Sequence, residues 1–325
     1  MAAINLLEAI NKALDYALEQ DNNVILLGQD IGKNGGVFRA TQNLHSKYGG
    51  SRVIDMPLAE NLIAGVAVGM ASQGLIPIAE IQFLGFIYPA LDQIINHAAR
   101  MKSRTKGAIT CNSVFRSPLG AGINAPEHHF ESIEAIFAHI PNLQVVIPSS
   151  PAKAYGLLLG SIMCEDPVIF LEPTKLYRSQ TENFIPNGKA LQLGKCFLAK
   201  EGSDITIVSW GAMLIEAMEA ANQLQEIGIS AEIIDVATIK PLDIETILRS
   251  VRKTGRIIIA HEAVKTLGVG AEISALVAEH ALDSLCAPIK RVAAPDEIIT
   301  NFREEKSFFP NKNDIIATTE ELMKY

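Results

Sequence analysis

The chain predicts two α/β domains, each built on a mostly parallel sheet, and three observations lead there. Short apolar runs such as Val24–Leu27 and Val168–Leu171 stop at glycine or polar residues, as strands buried on both faces do. Segments with apolar side chains at helical spacing alternate with these runs, which is the pattern of helices covering a parallel sheet. A polar, irregular stretch at 178–192 then separates two such alternations within 325 residues, placing the domains at 1–185 and 190–325.

The elements follow in order. Ile4, Leu7, Ile10, Leu14 and Leu18 mark a helix over 4–20, and Val24–Leu27 ends at Gly28 as a buried strand. A glycine-rich loop, Gly32 to Gly36, leads on to Pro57-Leu58-Ala59-Glu60-Asn61, which opens a helix running to Ala71. Strands are expected at 76–83 and 108–112 with a helix over 88–104 between them, then a long loop over 113–130. A helix at 131–139, a strand at 143–147, a helix at 150–164 and a strand at 168–171 complete the first half. The second half alternates strands at 205–209, 231–236, 256–260 and 289–292 with helices at 212–227, 243–253, 269–282 and 313–324.

Composition narrows the class. Apolar residues make up 48% and charged residues 20%, less charge than the usual quarter. That leaves apolar surface for a subunit contact. A net charge of −8 with no basic run argues against a nucleic-acid partner. The uncharged stretch 62–79 reads as a buried helix and strand rather than a membrane span, because Gly74 and Pro77 break it and Glu60 and Glu80 bound it. The first residues have no basic segment leading an apolar one, and the four cysteines lie far apart. Both features fit a cytoplasmic chain with reduced core thiols.

Several motifs are absent. There is no P-loop and no nucleophile elbow, and Gly268-Val-Gly270 lacks the third small residue of a dinucleotide fingerprint. Gly65 and Gly69 read as core packing. Two features are left for chemistry. Glu60 puts a carboxylate in the first turn of an otherwise uncharged helix, where burial without a partner is costly. The adjacent pair His128-His129 lies in the long loop, either solvated or lining a cleft at the strand ends, the edge that Gln82 and Phe86 also follow.

Taken in order, a set of segments resembles the beta subunits of the thiamine-diphosphate-dependent decarboxylating component of 2-oxoacid dehydrogenase complexes. They are Leu27-Gly-Gln-Asp-Ile-Gly32, Asn34-Gly-Gly-Val-Phe-Arg39, Arg52-Val-Ile-Asp-Met-Pro-Leu-Ala-Glu60 and Glu80-Ile-Gln-Phe83. Arg116-Ser-Pro118, Pro126-Glu-His-His129, Val146-Ile-Pro-Ser149, Pro167-Val-Ile-Phe170 and Leu176-Tyr-Arg178 continue the series. Lys240-Pro-Leu-Asp243 and Gly268-Val-Gly-Ala-Glu272 extend it through the second half.

The resemblance implies two three-layer α/β/α domains. One is a thiamine pyrimidine-binding domain; the other is a transketolase C-terminal-like domain with an antiparallel edge strand, serving assembly and acyltransferase docking. By the same resemblance, Glu60 hydrogen-bonds the aminopyrimidine of thiamine diphosphate and activates it. A glutamate suits this because burial can raise its ordinary pKa of about 4.3, while a helix N-terminus favours the anion. Phe86 packs on the aminopyrimidine ring, and Leu58 and Gln82 line the same pocket. His129 stands near substrate and lipoyl group as a proton donor. Asn124 replaces a histidine found in many relatives. Many relatives hold a structural potassium ion near the segment containing Asp166, chiefly through backbone carbonyls; here Cys164 replaces a common aspartate, so the resemblance leaves that ion open.

No Gly-Asp-Gly magnesium motif occurs. The resemblance therefore implies that an alpha subunit holds magnesium and the diphosphate, in an alpha2beta2 heterotetramer that serves a lipoyl-bearing dihydrolipoyl acyltransferase core. Pyruvate is the expected substrate. The alternatives are branched-chain 2-oxoacids, acetoin, or a non-catalytic scaffold for the acyltransferase.

Overall fold

A computed structural model describes residues 3–125, 127–298 and 302–325. The first half comprises β1 (Ile4–Asn5), α1 (Leu6–Gln20), β2 (Val24–Gly28), α2 (Leu44–Tyr48), β3 (Val53–Asp55), α3 (Glu60–Ser72) and β4 (Ile76–Glu80). It continues with α4 (Ala99–Arg104), β5 (Val114–Leu119), α5 (Glu134–His139), β6 (Gln144–Val146), α6 (Pro151–Ile162), β7 (Val168–Pro173) and β8 (Thr181–Glu182). The second half begins with β9 (Phe197–Lys200), β10 (Ile205–Ser209), α7 (Met213–Glu226), β11 (Ala231–Asp235) and β12 (Thr238–Lys240). It closes with α8 (Ile244–Thr254), β13 (Ile257–Val264), α9 (Val269–Ala281), β14 (Lys290–Ala294), α10 (Glu305–Phe308) and α11 (Lys312–Leu322).

Two helix-covered sheets result. The larger has the order β12-β6-β7-β5-β4-β2-β3, and every pairing except β12–β6 is parallel. The smaller has the order β14-β13-β10-β11-β9, with β9 antiparallel at its edge. The two α/β domains that the alternation implies, and the α/β/α layering that the resemblance implies, are therefore present. Strand β12 comes from the second half of the chain yet completes the first sheet. Lys240 ties it further, its ammonium donating to the carbonyls of Ala138 and Ile140 at 2.7 and 2.8 Å and so capping the end of α5.

Local chemistry explains the helix limits. Asn5 caps α1 by accepting from the Glu8 amide at 2.9 Å, while Glu8 accepts from the Asn5 amide at 2.8 Å. Such a capping box contributes on the order of 1 kcal/mol. Leu7, Ile10, Leu14 and Leu18 on α1 are buried against α6. Helix α8 starts at Asp243, whose carboxylate accepts from the Thr246 amide, and stops at Gly255 in the left-handed conformation.

Three expectations fail locally. The strand placed at 108–112 lies instead at Val114–Leu119, where a loop was expected. Its centre, Arg116-Ser-Pro118, reads as loop because a buried strand rarely carries a charge. Here the charge is cancelled: Arg116 donates to Glu80 at 2.9 Å and to Glu172 at 2.7 Å, on the strands either side. The helix expected over 88–104 is a 3-10 turn at Tyr88–Ala90, a π-helical stretch at Asp92–Ala98 and then α4. A wide turn keeps apolar side chains on much the same face, so periodicity does not reveal it. Gly69 is exposed with nothing near the place of a side chain, whereas a Cβ on Gly65 would lie 3.6 Å from the Gln93 side chain, so of the pair only Gly65 packs within this chain.

Of the four thiols, Cys111 is buried, Cys164 and Cys196 are half-buried and Cys286 is exposed, so the last is not a core thiol. The Gly268-Val-Gly270 segment owes its glycines to packing: a Cβ on Gly270 would lie 2.6 Å from the His261 ring nitrogen Nε2. Among the described residues no helix is long and apolar enough to cross a membrane.

Candidate active site

The parallel register of the larger sheet aligns Gly28 with Asp55 and Glu80, Glu80 with Arg116, and Arg116 with Phe170. Because these strands run the same way, the segments 56–60, 81–86 and 120–133 all leave from one carboxyl edge, where open α/β sheets bind ligands. The predicted site residues lie on these three segments.

Glu60 is the first residue of α3 and is half-buried. Pro57, Leu58 and Ala59 form the lead-in rather than the first turn, and no side chain caps the helix. Among the described residues, the Glu60 carboxylate has no hydrogen-bond or ion-pair partner. Leu58 is 73% exposed, so none of the described residues covers it.

Gln82 is half-buried at the end of the β4 edge, its amide donating to Gln29 O at 3.4 Å and to Asp30 Oδ2 at 3.5 Å. Phe86 ends a 3-10 turn, Leu84–Phe86, that packs on a second turn at Glu127–His129. The contact is so close that a Cβ on Gly85 would meet the His128 carbonyl oxygen at 1.9 Å, so only glycine serves. The rings interlock accordingly: Phe86 lies 5.2 Å from His129 and 5.5 Å from His128, centroid to centroid. Phe83, Phe38 and Tyr177 extend the aromatic row, with centroids 5.6 and 5.0 Å apart from Phe83 to Phe38 and from Phe38 to Tyr177.

Gln82, Phe86 and His129 thus gather at one edge. Helix α3, which carries Glu60, packs on the Tyr88–Ala90 turn directly beyond Phe86. Of the motif Pro126-Glu-His-His129, Pro126 lies outside the described residues. Phe38, Phe83 and Tyr177 join the row without standing out in the sequence; their signal is that each falls inside a matched segment.

Beneath the row lies a buried polar network. Tyr177 donates to Glu172 Oε2 at 2.7 Å while Arg116 serves the other Glu172 oxygen. Burial pushes the Glu172 carboxyl up, against the opposing pull of Arg116, and raises the Tyr177 phenol well above its ordinary range.

The Asp166 carboxylate, near which the resemblance leaves a potassium ion open, is paired with a lysine. Lys102 Nζ lies 3.0 Å from Asp166 Oδ1 and 3.7 Å from Glu165 Oε2. With its amide nitrogen facing inward, Asn112 donates to Cys164 O at 2.8 Å and Ile162 O at 3.3 Å. The Asp166 carboxylate and the carbonyls of Ile162 and Cys164 thus have partners within the chain. Among the described residues, no group of three or more His, Cys, Asp or Glu is placed to hold a metal.

Residues 2–180 match the family of the transketolase pyrimidine binding domain, and residues 194–315 match that of the transketolase C-terminal domain. The chain is similar to the pyruvate dehydrogenase E1 component subunit beta of Staphylococcus aureus (strain Mu50 / ATCC 700699), at 45% identity over 100% of both chains. The subunit of the same name from Staphylococcus epidermidis (strain ATCC 12228 / FDA PCI 1200) is 44% identical over 100% of both. A solved split gene transketolase, described as an inactive beta4 tetramer, superposes with a TM-score of 0.82 at 26% identity, covering 99% of each chain. With both halves matched in order and the likeness running from end to end, the chain belongs to the family of pyruvate dehydrogenase E1 component beta subunits.

Proposed function

We propose that this chain is the beta half of an oxidative decarboxylase that converts pyruvate to carbon dioxide and an acyl group passed to a lipoyl arm. The observation that carries the reading is the gathering of Gln82, Phe86 and His129 at one sheet edge, beside a helix that begins with an unpartnered glutamate. A half-buried carboxylate and an aromatic ring are the donor set that fits an aminopyrimidine. Thiamine diphosphate, when bound, supplies the carbon nucleophile for the 2-oxoacid.

The side chains divide the remaining work. Glu60 would hold the proton of the aminopyrimidine ring nitrogen, and Phe86 would bear on the ring. Gln82 and Leu58 would line the same pocket, with Leu58 covered once a partner is seated. His129 would donate a proton near substrate and lipoyl group. Magnesium and the diphosphate belong to an alpha subunit, two of each chain assembling as a heterotetramer in the cytoplasm that docks on a dihydrolipoyl acyltransferase core. Residues 1–185 act as the pyrimidine-binding unit and 190–325 as the unit for assembly and docking.

The test is reconstitution with the alpha partner and assay of pyruvate decarboxylation. Glu60→Gln is expected to assemble normally and lose about a hundredfold or more in turnover. Near-parent turnover would reject the role. A panel that includes branched-chain 2-oxoacids and acetoin reads the substrate directly.

A further inference from the structure

The loop that carries His129 is anchored at its start by the other domain. As the chain leaves β5, the Ala121 amide donates to Glu262 Oε1 at 3.0 Å. The Gly122 amide donates to Glu305 Oε1 at 2.7 Å and the Asn124 amide to Glu305 Oε2 at 2.9 Å. Both carboxylates come from the second half of the chain, Glu262 from β13 and Glu305 from the start of α10. Two acids therefore take three backbone N–H groups within four residues of the loop. Bonds to an ionised carboxylate are about twice as strong as neutral ones, although burial lifts the Glu262 carboxyl to about 7.

The loop backbone is shaped for the arrangement. Gly120, Gly122 and Asn124 all have positive φ, at 72°, 131° and 50°. A Cβ on Gly120 would sit 2.6 Å from Glu262 Oε2, and one on Gly122 would sit 2.7 Å from the Lys175 Cα. The Gly120 amide meets the Glu131 carbonyl at 3.1 Å, closing the loop at its base. Glu305 is only 7% exposed, so losing its partners would leave a charge in poor solvent. Farther on, Phe130 and Ser132 face Glu262, Ala294 and Phe308 across a cleft of about 300 Å³.

We propose that Glu305 and Glu262 are positioning residues: from the second domain they fix the 120–133 loop and so the place of His129 against Phe83 and Phe86. This rests on the catalytic reading of His129 given above. Neither acid touches the aromatic row. The proposal assigns the second domain a part in the chemistry, since the loop keeps its shape only while these two carboxylates accept from it.

The assembled complex with its alpha partner is the sample, carrying Glu305→Gln, Glu262→Leu or His129→Ala. A carboxamide keeps one acceptor but turns an N–H₂ toward a second donor, so Glu305→Gln breaks one of two bonds without removing bulk. Amide hydrogen exchange over 119–133 is expected to rise in Glu305→Gln and in Glu262→Leu, which has no acceptor for the Ala121 amide, with exchange across β10 unchanged. Acyl transfer to a lipoyl domain is expected to lose roughly tenfold to a hundredfold in kcat, with little change in the KM for pyruvate. Parent-like exchange over 119–133, or raised exchange with unaltered kcat, would overturn the proposal. Full activity of His129→Ala would instead reject the role of His129, and the exchange data would still report on the anchor.

Discussion

The imidazole of His129 stands edge-on to the ring of Phe83, with centroids 4.5 Å apart and planes at 72°. Such a pair contributes about 1 kcal/mol beyond its buried area, and it also limits how the imidazole can turn. Phe83→Leu keeps the bulk and removes the edge contact. Acyl transfer to a lipoyl domain should fall by about tenfold, with the KM for pyruvate nearly constant. Single-turnover transfer at the parent rate would show that the ring does not orient the histidine.

Arg116 is the only cation bonded to the Glu80 and Glu172 carboxylates among the described residues, and it is 2% exposed. Arg116→Leu strands two acids in the sheet interior and should cost about 3–5 kcal/mol. Without the guanidinium both carboxyls would be raised above their unfolded values, so the folded form would hold extra protons and stability would fall as pH rises through that range. Urea unfolding of the variant should therefore show a larger deficit at alkaline than at mildly acid pH. A pH-independent deficit would contradict this.

His261 is fully buried, stacks on Trp210 with centroids 5.2 Å apart, and is held down to about 4 by burial. Below its ordinary value of 6.5 the unfolded chain takes up a proton that the folded ring refuses. Stability is thus lost as pH falls from 6.5 toward 4. At pH 5 the loss from this ring is about 2 kcal/mol. His261→Phe keeps the stack and should flatten the stability profile across that window. Chemical denaturation at several pH values checks it, and an unchanged slope would mean the ring titrates normally.

The Lys102–Asp166 pair and the Asn112 amide already serve the oxygens of that corner. Thermal midpoints of the assembled protein should agree whether potassium or sodium is the sole monovalent cation. A rise confined to potassium would show that the ion displaces these contacts.

Much of this molecule was legible in its sequence, and the gaps have physical causes. The runs 24–27, 168–171 and 205–209 are strands because strands covered on both faces carry apolar side chains throughout. β5 escaped notice because its neutralising partners, Glu80 and Glu172, are 36 and 56 residues away. β12 escaped because three residues have no period to read, and only the fold shows that they pair with β6. Glu60 could be singled out by charge and the pair His128-His129 by adjacency, with the choice of His129 left to the resemblance. Phe83 and Phe38 could not, since a lone aromatic ring carries no sign of whether it lines a cleft or packs in the core. The Glu305 anchor is farther still from a local signal: it joins positions 183 and 181 residues apart through backbone groups that carry no side-chain identity.

The return of Thr238–Lys240 to the first sheet has a practical meaning for anyone who would cut this protein in two. A fragment ending within 178–192 would strip β6 of its outer neighbour and leave Val145 and Val146 at a bare rim. Unpaired rims recruit other polypeptides, so such a fragment should precipitate rather than behave as a module. The halves are stitched rather than strung together, and they must be made as one piece.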